Sequence, residues 1–213
     1  GKHRRGKTMN RFTRSENGII ADAGFYNRLQ YANAASLLLL SDTHGAVDAV
    51  RWILSSFGGI CDACLFAGDG AQDILTVVRE AAAGKITIPP VIIMAQGNCD
   101  NQLYPPVFPD TGSQKPFGLP VYQQSIERFG SVTAINPGSP LRPRGKSHGG
   151  FALLSLRTGQ VENPEDTANT GDDSATGLFS KVQFYQLIQK TDGAFSASAH
   201  AVYPIPIRQS AGD

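Results

Sequence analysis

The sequence predicts an α/β fold built on a parallel sheet, and three observations lead there. Three short apolar runs, Leu37 to Leu40, Cys64 to Ala67 and Val91 to Ala95, each end in a polar loop containing glycine. Two stretches of apolar residues at helical spacing separate them. Strand–helix–strand–helix–strand in that order requires parallel strands joined by right-handed crossovers.

The first strand is expected over Ser36 to Ser41, where an unbroken apolar run suits a strand buried on both faces. Ala46 to Phe57 follows as a helix, with Val47, Val50, Ile53, Leu54 and Phe57 on one stripe and Gly58-Gly59 closing it. Cys64 to Ala67 is the second strand. Ile74, Leu75, Val78, Ala81 and Ala82 mark the second helix, which ends at Gly84, and Val91 to Ala95 is the third strand. Upstream, Ile19, Ile20, Phe25 and Leu29 suggest one or two short helices packed on the main body.

After Asp100 the texture changes. Five prolines between Pro105 and Pro120 make that stretch irregular. Short strands are then expected at Val121 to Gln123, Ser131 to Ile135, Phe151 to Leu156 and Lys181 to Leu187. Glu162 to Gly177 reads as a polar loop. The Ala/Ser/Pro-rich stretch after Asp192 reads as a poorly ordered tail. The expected organisation is a basic extension with a short helix over 1–35, a main domain over 36–190 and a tail over 191–213.

Composition narrows the function classes. The 213 residues are 41% hydrophobic and 17% charged with a formal net charge of +1, values of a globular protein with a core. Near neutrality argues against a surface devoted to nucleic acid. The basic run through Arg14 reads first as a solvated tail and second as a nucleic-acid arm. No apolar run is long enough to cross a membrane and no signal peptide is visible. Three cysteines, Cys61, Cys64 and Cys99, suit a reducing cytoplasm better than a disulfide framework. Cys61 and Cys64 have redox-pair spacing, but without a second pair they read as packing residues.

The chemistry concentrates at the strand ends, where ligands bind in doubly wound sheets. The first strand leads into Asp42-Thr43-His44-Gly45, the second into Gly68-Asp69-Gly70 and the third into Gly97-Asn98-Cys99-Asp100. A single strand-end Asp is ordinarily a helix cap. Three such motifs in succession are harder to explain that way. Asp42 and His44, two residues apart, project to the same side of an extended chain, and a carboxylate with an imidazole suits a first-row divalent metal. Asp69 can share its two oxygens between two ions, and Asn98 offers a neutral oxygen to the second. Glycines would let backbone and phosphate approach closely. Two ions roughly 3.5–4 Å apart can activate a bridging water and clamp a phosphoryl group.

These motifs resemble those of the calcineurin-like metallophosphoesterases, whose pattern runs D-x-H, G-D, G-N and then two histidine motifs. Gly97-Asn98-Cys99-Asp100, Asn136-Pro137-Gly138-Ser139 and Pro143-Arg144 look like the small bacterial and archaeal phosphodiesterase branch. A retromer cargo-recognition subunit of the same fold is a more distant relative. The resemblance covers roughly Ser36 to Leu156 and the strand Val182 to Leu187. It implies a two-sheet α/β sandwich and a cytoplasmic phosphodiesterase that acts on a phosphate ester through a metal-bridged hydroxide. It also implies two divalent ions, manganese first, with iron, zinc, cobalt or nickel as options. Asp42, His44, Asp69 and Asn98 would be ligands, with Asp69 and Asn98 catalytic and Cys99, Asp100 and Arg144 beside the ligands or the substrate. Arg142 and Arg144 would otherwise be solvated, and Asn136 to Ser139 could equally be a tight turn.

One departure matters. The family's later ligands come from His-Gly-His and Gly-His-Thr-His loops, yet no histidine lies between Asp100 and Asn136. Two readings stay open: a chain whose second sheet is incomplete, or a natural protein longer in this interval. A true loss of two strands and a helix would exceed a domain's net stability of about 5–15 kcal/mol, favouring a covering partner or a homo-oligomer. His3, His148 and His200 read as surface histidines. The alternative to an enzyme is therefore a catalytically impaired scaffold of the same fold that binds a protein partner.

Overall fold

A computed structural model describes residues 10–97, 99–100, 124–129, 132–143, 148–159 and 177–206. The expected parallel core is present. β3 (Ala34–Leu40), β4 (Ala63–Phe66) and β5 (Val91–Met94) pair in parallel, joined by α2 (Val47–Phe57) and α3 (Ala71–Ala82). Alternation on the strands divides their side chains between two layers. Leu38, Leu40, Cys64, Phe66, Ile92 and Met94 meet Val50, Ile53, Leu54, Ile74 and Val78 of the helices. Leu37, Leu39 and Leu65 face the other way.

Around this core the sheet extends to eight strands, in the order β1-β2-β5-β4-β3-β8-β9-β10. β8 (Gly150–Gly159) runs antiparallel to β3 and is followed by β9 (Gly177–Gln189) and β10 (Phe195–Pro206). A separate two-stranded sheet, β6 (Ser125–Phe129) with β7 (Val132–Asn136), covers part of the face opposite the helices. There Ile126 and Ile135 pack with Leu39, Ala152, Val182 and Phe184. The architecture is thus mixed α/β, with α2 and α3 on one face of a large sheet and the small second sheet on the other, where Phe25 and Leu29 of the short helix after β2 also pack on Leu37 and Ile93. Among the described residues no helix is long and apolar enough to cross a membrane.

Two sequence expectations are corrected. Residues 14–21 are not helical: β1 (Arg14–Glu16) and β2 (Ile19–Ala21) form a hairpin, and helix is confined to α1 (Ala23–Leu29), capped by Asp22. The hairpin turns on Asn17 and Gly18, both at positive φ, 48° and 74°, the pairing that two-residue turns favour. The stretch after Asp192 is likewise no loose tail over 195–206. It pairs with β9 from Phe195 to Pro206 with one register shift between Ala199 and Ala201, and that pairing overrides the weak strand preference of its small side chains. The strand expected at Val121 to Gln123 and the polar loop from Glu162 through Thr176 lie outside the described residues.

Candidate metal centre

The three strand-end loops are fastened to one another largely through their backbones. Beyond β3 and β4 the parallel ladder continues as Asp42 N–H donates to Gly68 O (2.9 Å) and His44 N–H to Asp69 O (3.2 Å). The Asp100 carboxylate, in the loop after β5, then accepts four N–H groups. Oδ2 takes Asp69 (2.9 Å) and Gly97 (2.9 Å), and Oδ1 takes Gly70 (2.9 Å) and Ala71 (3.0 Å). Gly70 is the N-cap of α3 and has no capping side chain of its own. Asp100 therefore caps that helix from the neighbouring loop, satisfying donors a helix start leaves open. It positions the site rather than lining it.

Asp73, on the first turn of α3, does the same for the first loop. Its Oδ2 accepts Thr43 Oγ1–H (2.6 Å) and Gly45 N–H (2.8 Å). From below, Ser139 Oγ–H donates to Asp42 O (2.7 Å) and Ser41 Oγ–H to Gly138 O (3.3 Å). The Asn136 to Ser139 segment is thus a support of the Asp42 loop as well as a turn. Ser139 belongs to the Asn136 to Ser139 motif noted in the sequence, whereas Asp73 did not stand out, since an Asp in a helix's first turn is commonplace.

With the loops so held, Asp42, His44 and Asp69 each bring one ligand atom to within 4.8 Å of the others. Asp42 is 1% exposed and Asp69 8%. His44 Nε2 stands 3.8 Å from Asp42 Oδ1. Of the four non-glycine residues at positive φ among those described, three are Asp42 (51°), His44 (42°) and Asp69 (59°). Left-handed backbone is uncommon outside glycine and tends to gather where a side chain must be aimed for function. Two carboxylates and an imidazole, all on strained and fixed backbone, fit a hard or borderline divalent cation.

The glycines permit the close backbone approach expected of them. A Cβ on Gly68, at φ 98°, would stand 2.5 Å from Gly97 N, and one on Gly97 would stand 2.1 Å from Asp69 Oδ1. They allow two loops to touch, so that Asp69 Oδ1 can also accept Cys99 N–H at 2.8 Å.

The chain is similar in fold to two solved structures. One is a conserved uncharacterized protein of Streptococcus pneumoniae TIGR4, a predicted phosphoesterase, at TM-score 0.45 and 18% identity over 79% of this chain and 99% of that one. The other is Vps29 of Chaetomium thermophilum, at TM-score 0.49 and 14% identity over 81% of this chain and 100% of that one. No family model and no curated protein matches the sequence.

The remaining expected site residues divide. Asn98 and Arg144 lie outside the described residues. Cys99 is exposed, and burial of its thiol, the Asp69 carboxylate and a hydrogen bond to it raise its pKa above the ordinary thiol value. Arg142 is exposed, its backbone N–H donating to Ser139 Oγ at 3.1 Å. Cys61 and Cys64 are buried and unbridged, as packing residues should be.

Proposed function

We propose that this chain is a divalent-metal-dependent phosphoesterase, and that its substrate is a phosphodiester. The single observation that carries the reading is the meeting of Asp42, His44 and Asp69 within 4.8 Å at the carboxyl ends of parallel strands. On this reading Asp42 and His44 hold one cation. Asp69 would also hold a cation there, and Asn98 would offer a neutral oxygen ligand. Manganese is the proposed metal, because an oxygen-rich set with one imidazole suits it. Bound cations would supply Lewis-acid stabilisation of charge on phosphoryl oxygens and make water more acidic.

The chain's own residues do the positioning. Asp100 fixes the backbone that aims Asp69. Asp73 and Ser139 fix the loop that aims Asp42 and His44. Arg144 is proposed as a contact for a non-bridging phosphate oxygen, where a guanidinium fork matches the geometry.

The test is hydrolysis of bis(p-nitrophenyl) phosphate with manganese present. Wild type should turn over and Asp69→Ala should lose at least a hundredfold in kcat/KM, while circular dichroism shows both folded. Equal rates in the two proteins would overturn the assignment. Folded wild-type protein that takes up no cation and hydrolyses nothing would favour the scaffold reading instead.

A further inference from the structure

A second site is suggested far from the cation cluster, where β9 and β10 pass beneath the start of β6. A cavity of about 380 Å³ opens there, within the size range of small-molecule sites. Phe184, 3% exposed, and Ile205, 5% exposed, lie at its base. Tyr203 meets the Phe184 ring edge-on at 5.8 Å, and His200 lies over it at 6.4 Å with a 29° tilt. Gln124 and Ser125 complete the lining on the β6 side. The Gln124 amide is fixed, its Nε2–H₂ donating to Phe151 O at 3.1 Å and Tyr185 O at 3.0 Å.

Three features define what such a cavity would accept. Among the described residues its lining includes no Asp, Glu, Lys or Arg side chain, so none of these offers a charged partner to a phosphate or carboxylate. Tyr203 stays 48% exposed at its mouth, leaving ring surface on which a second ring can stack. The hydroxyl, imidazole and amide groups lining it offer donors and acceptors to the edge of a ring. The site is also separate from the cation cluster. Phe184 is in register with Ala152, which pairs with Leu39. Two strand spacings across and three residues along place it roughly 14 Å from Asp42.

We propose that this cavity binds an uncharged planar heteroaromatic ring, stacked on Tyr203 and His200. The site does not depend on bound metal.

The probe is adenosine, titrated into ¹⁵N-labelled metal-free protein and followed by amide chemical shifts. Saturable shifts should concentrate at Ala201 and Tyr203, and D-ribose should produce none. Tyr203→Ala should weaken binding about tenfold, the size of one aromatic stacking contact, whereas Tyr203→Phe should keep most of it. If Tyr203→Ala fails to fold, His200→Ala carries the same expectation of weakened binding. Absence of saturable shifts at Ala201 and Tyr203 would overturn the proposal. So would unchanged affinity in the folded alanine variant. Because no metal is present, neither result bears on hydrolysis at Asp42, His44 and Asp69.

Discussion

The two halves of the large sheet are built by opposite means. In the parallel half, β4 and β5 have only 4 residues each and β3 has 7. In the antiparallel half, β8, β9 and β10 have 10, 13 and 12. The loops after β3 and β4 pass through positive φ at Asp42, His44 and Asp69, and buried carboxylates lock the three strand-end loops together. β9 and β10 are joined by an ordinary turn at Asp192 and Gly193. Order in the long strands comes from a long ladder, broken between β9 and β10 only by a register shift at His200. Order in the short ones comes from what happens beyond their ends, and there candidate chemistry and backbone strain coincide.

That contrast can be broken by matched substitutions. The largest effect is expected at Asp100→Ala, which leaves four N–H groups of two touching loops without their acceptor. Hydrogen bonds to a charged group contribute about 1.5–3 kcal/mol each and do not add fully, so a loss of about 4 kcal/mol in urea unfolding is predicted. Asp192→Ala removes one exposed contact to Ala194 N–H in the antiparallel half and should cost under about 1 kcal/mol. Equal losses would erase the distinction.

Next come the glycines. Gly68→Ala places a methyl 2.5 Å from Gly97 N at φ 98° and should cost about 3 kcal/mol. Gly193→Ala also sits at positive φ, 83°, but faces open space, so only the backbone penalty of about 1 kcal/mol applies. Denaturation midpoints of the two variants check this directly.

A pH effect is expected in the parallel half. Burial pushes the Cys61 thiol up to about 12 and raises Cys64 as well. A folded-state pKa above the unfolded one means the stabilisation is complete below about pH 9 and lost as pH climbs toward 12. Tm should therefore fall between pH 9 and 11, and less steeply in a Cys61→Ala variant. The smallest effect is expected at Arg51→Ala, which removes the ion pair with Glu80 between α2 and α3. A partly exposed pair is worth about 0–1 kcal/mol, so the urea midpoint should barely move.

The same contrast explains what could be read from the sequence. Continuous apolar runs disclosed β3, β4 and β5, and a helical stripe disclosed α2 and α3, because burial on both faces leaves little alternative. Asp42, His44 and Asp69 were legible because a strand end followed by glycine fixes where they stand. The hairpin over 14–21 was missed although Asn17-Gly18 announced it, since Ile19, Ile20, Phe25 and Leu29 also fit a helical spacing. β10 was missed although Phe195 to Ala201 alternates apolar and polar residues at the strand period, because alanine gives that period little hydrophobic weight, and its order comes from β9. The parts played by Asp100, Asp73 and Ser139 depend on which loops touch, and residue spacing along the chain does not contain that.

The central claim is that Asp42, His44 and Asp69 form one cation site. Calorimetric titration of metal-free protein with manganese tests it most directly. At least one equivalent should bind to wild type, with affinity lost in Asp69→Ala and sharply reduced in His44→Ala. Folded wild-type protein that shows no saturable uptake, or Asp69→Ala protein that binds as wild type does, would contradict it.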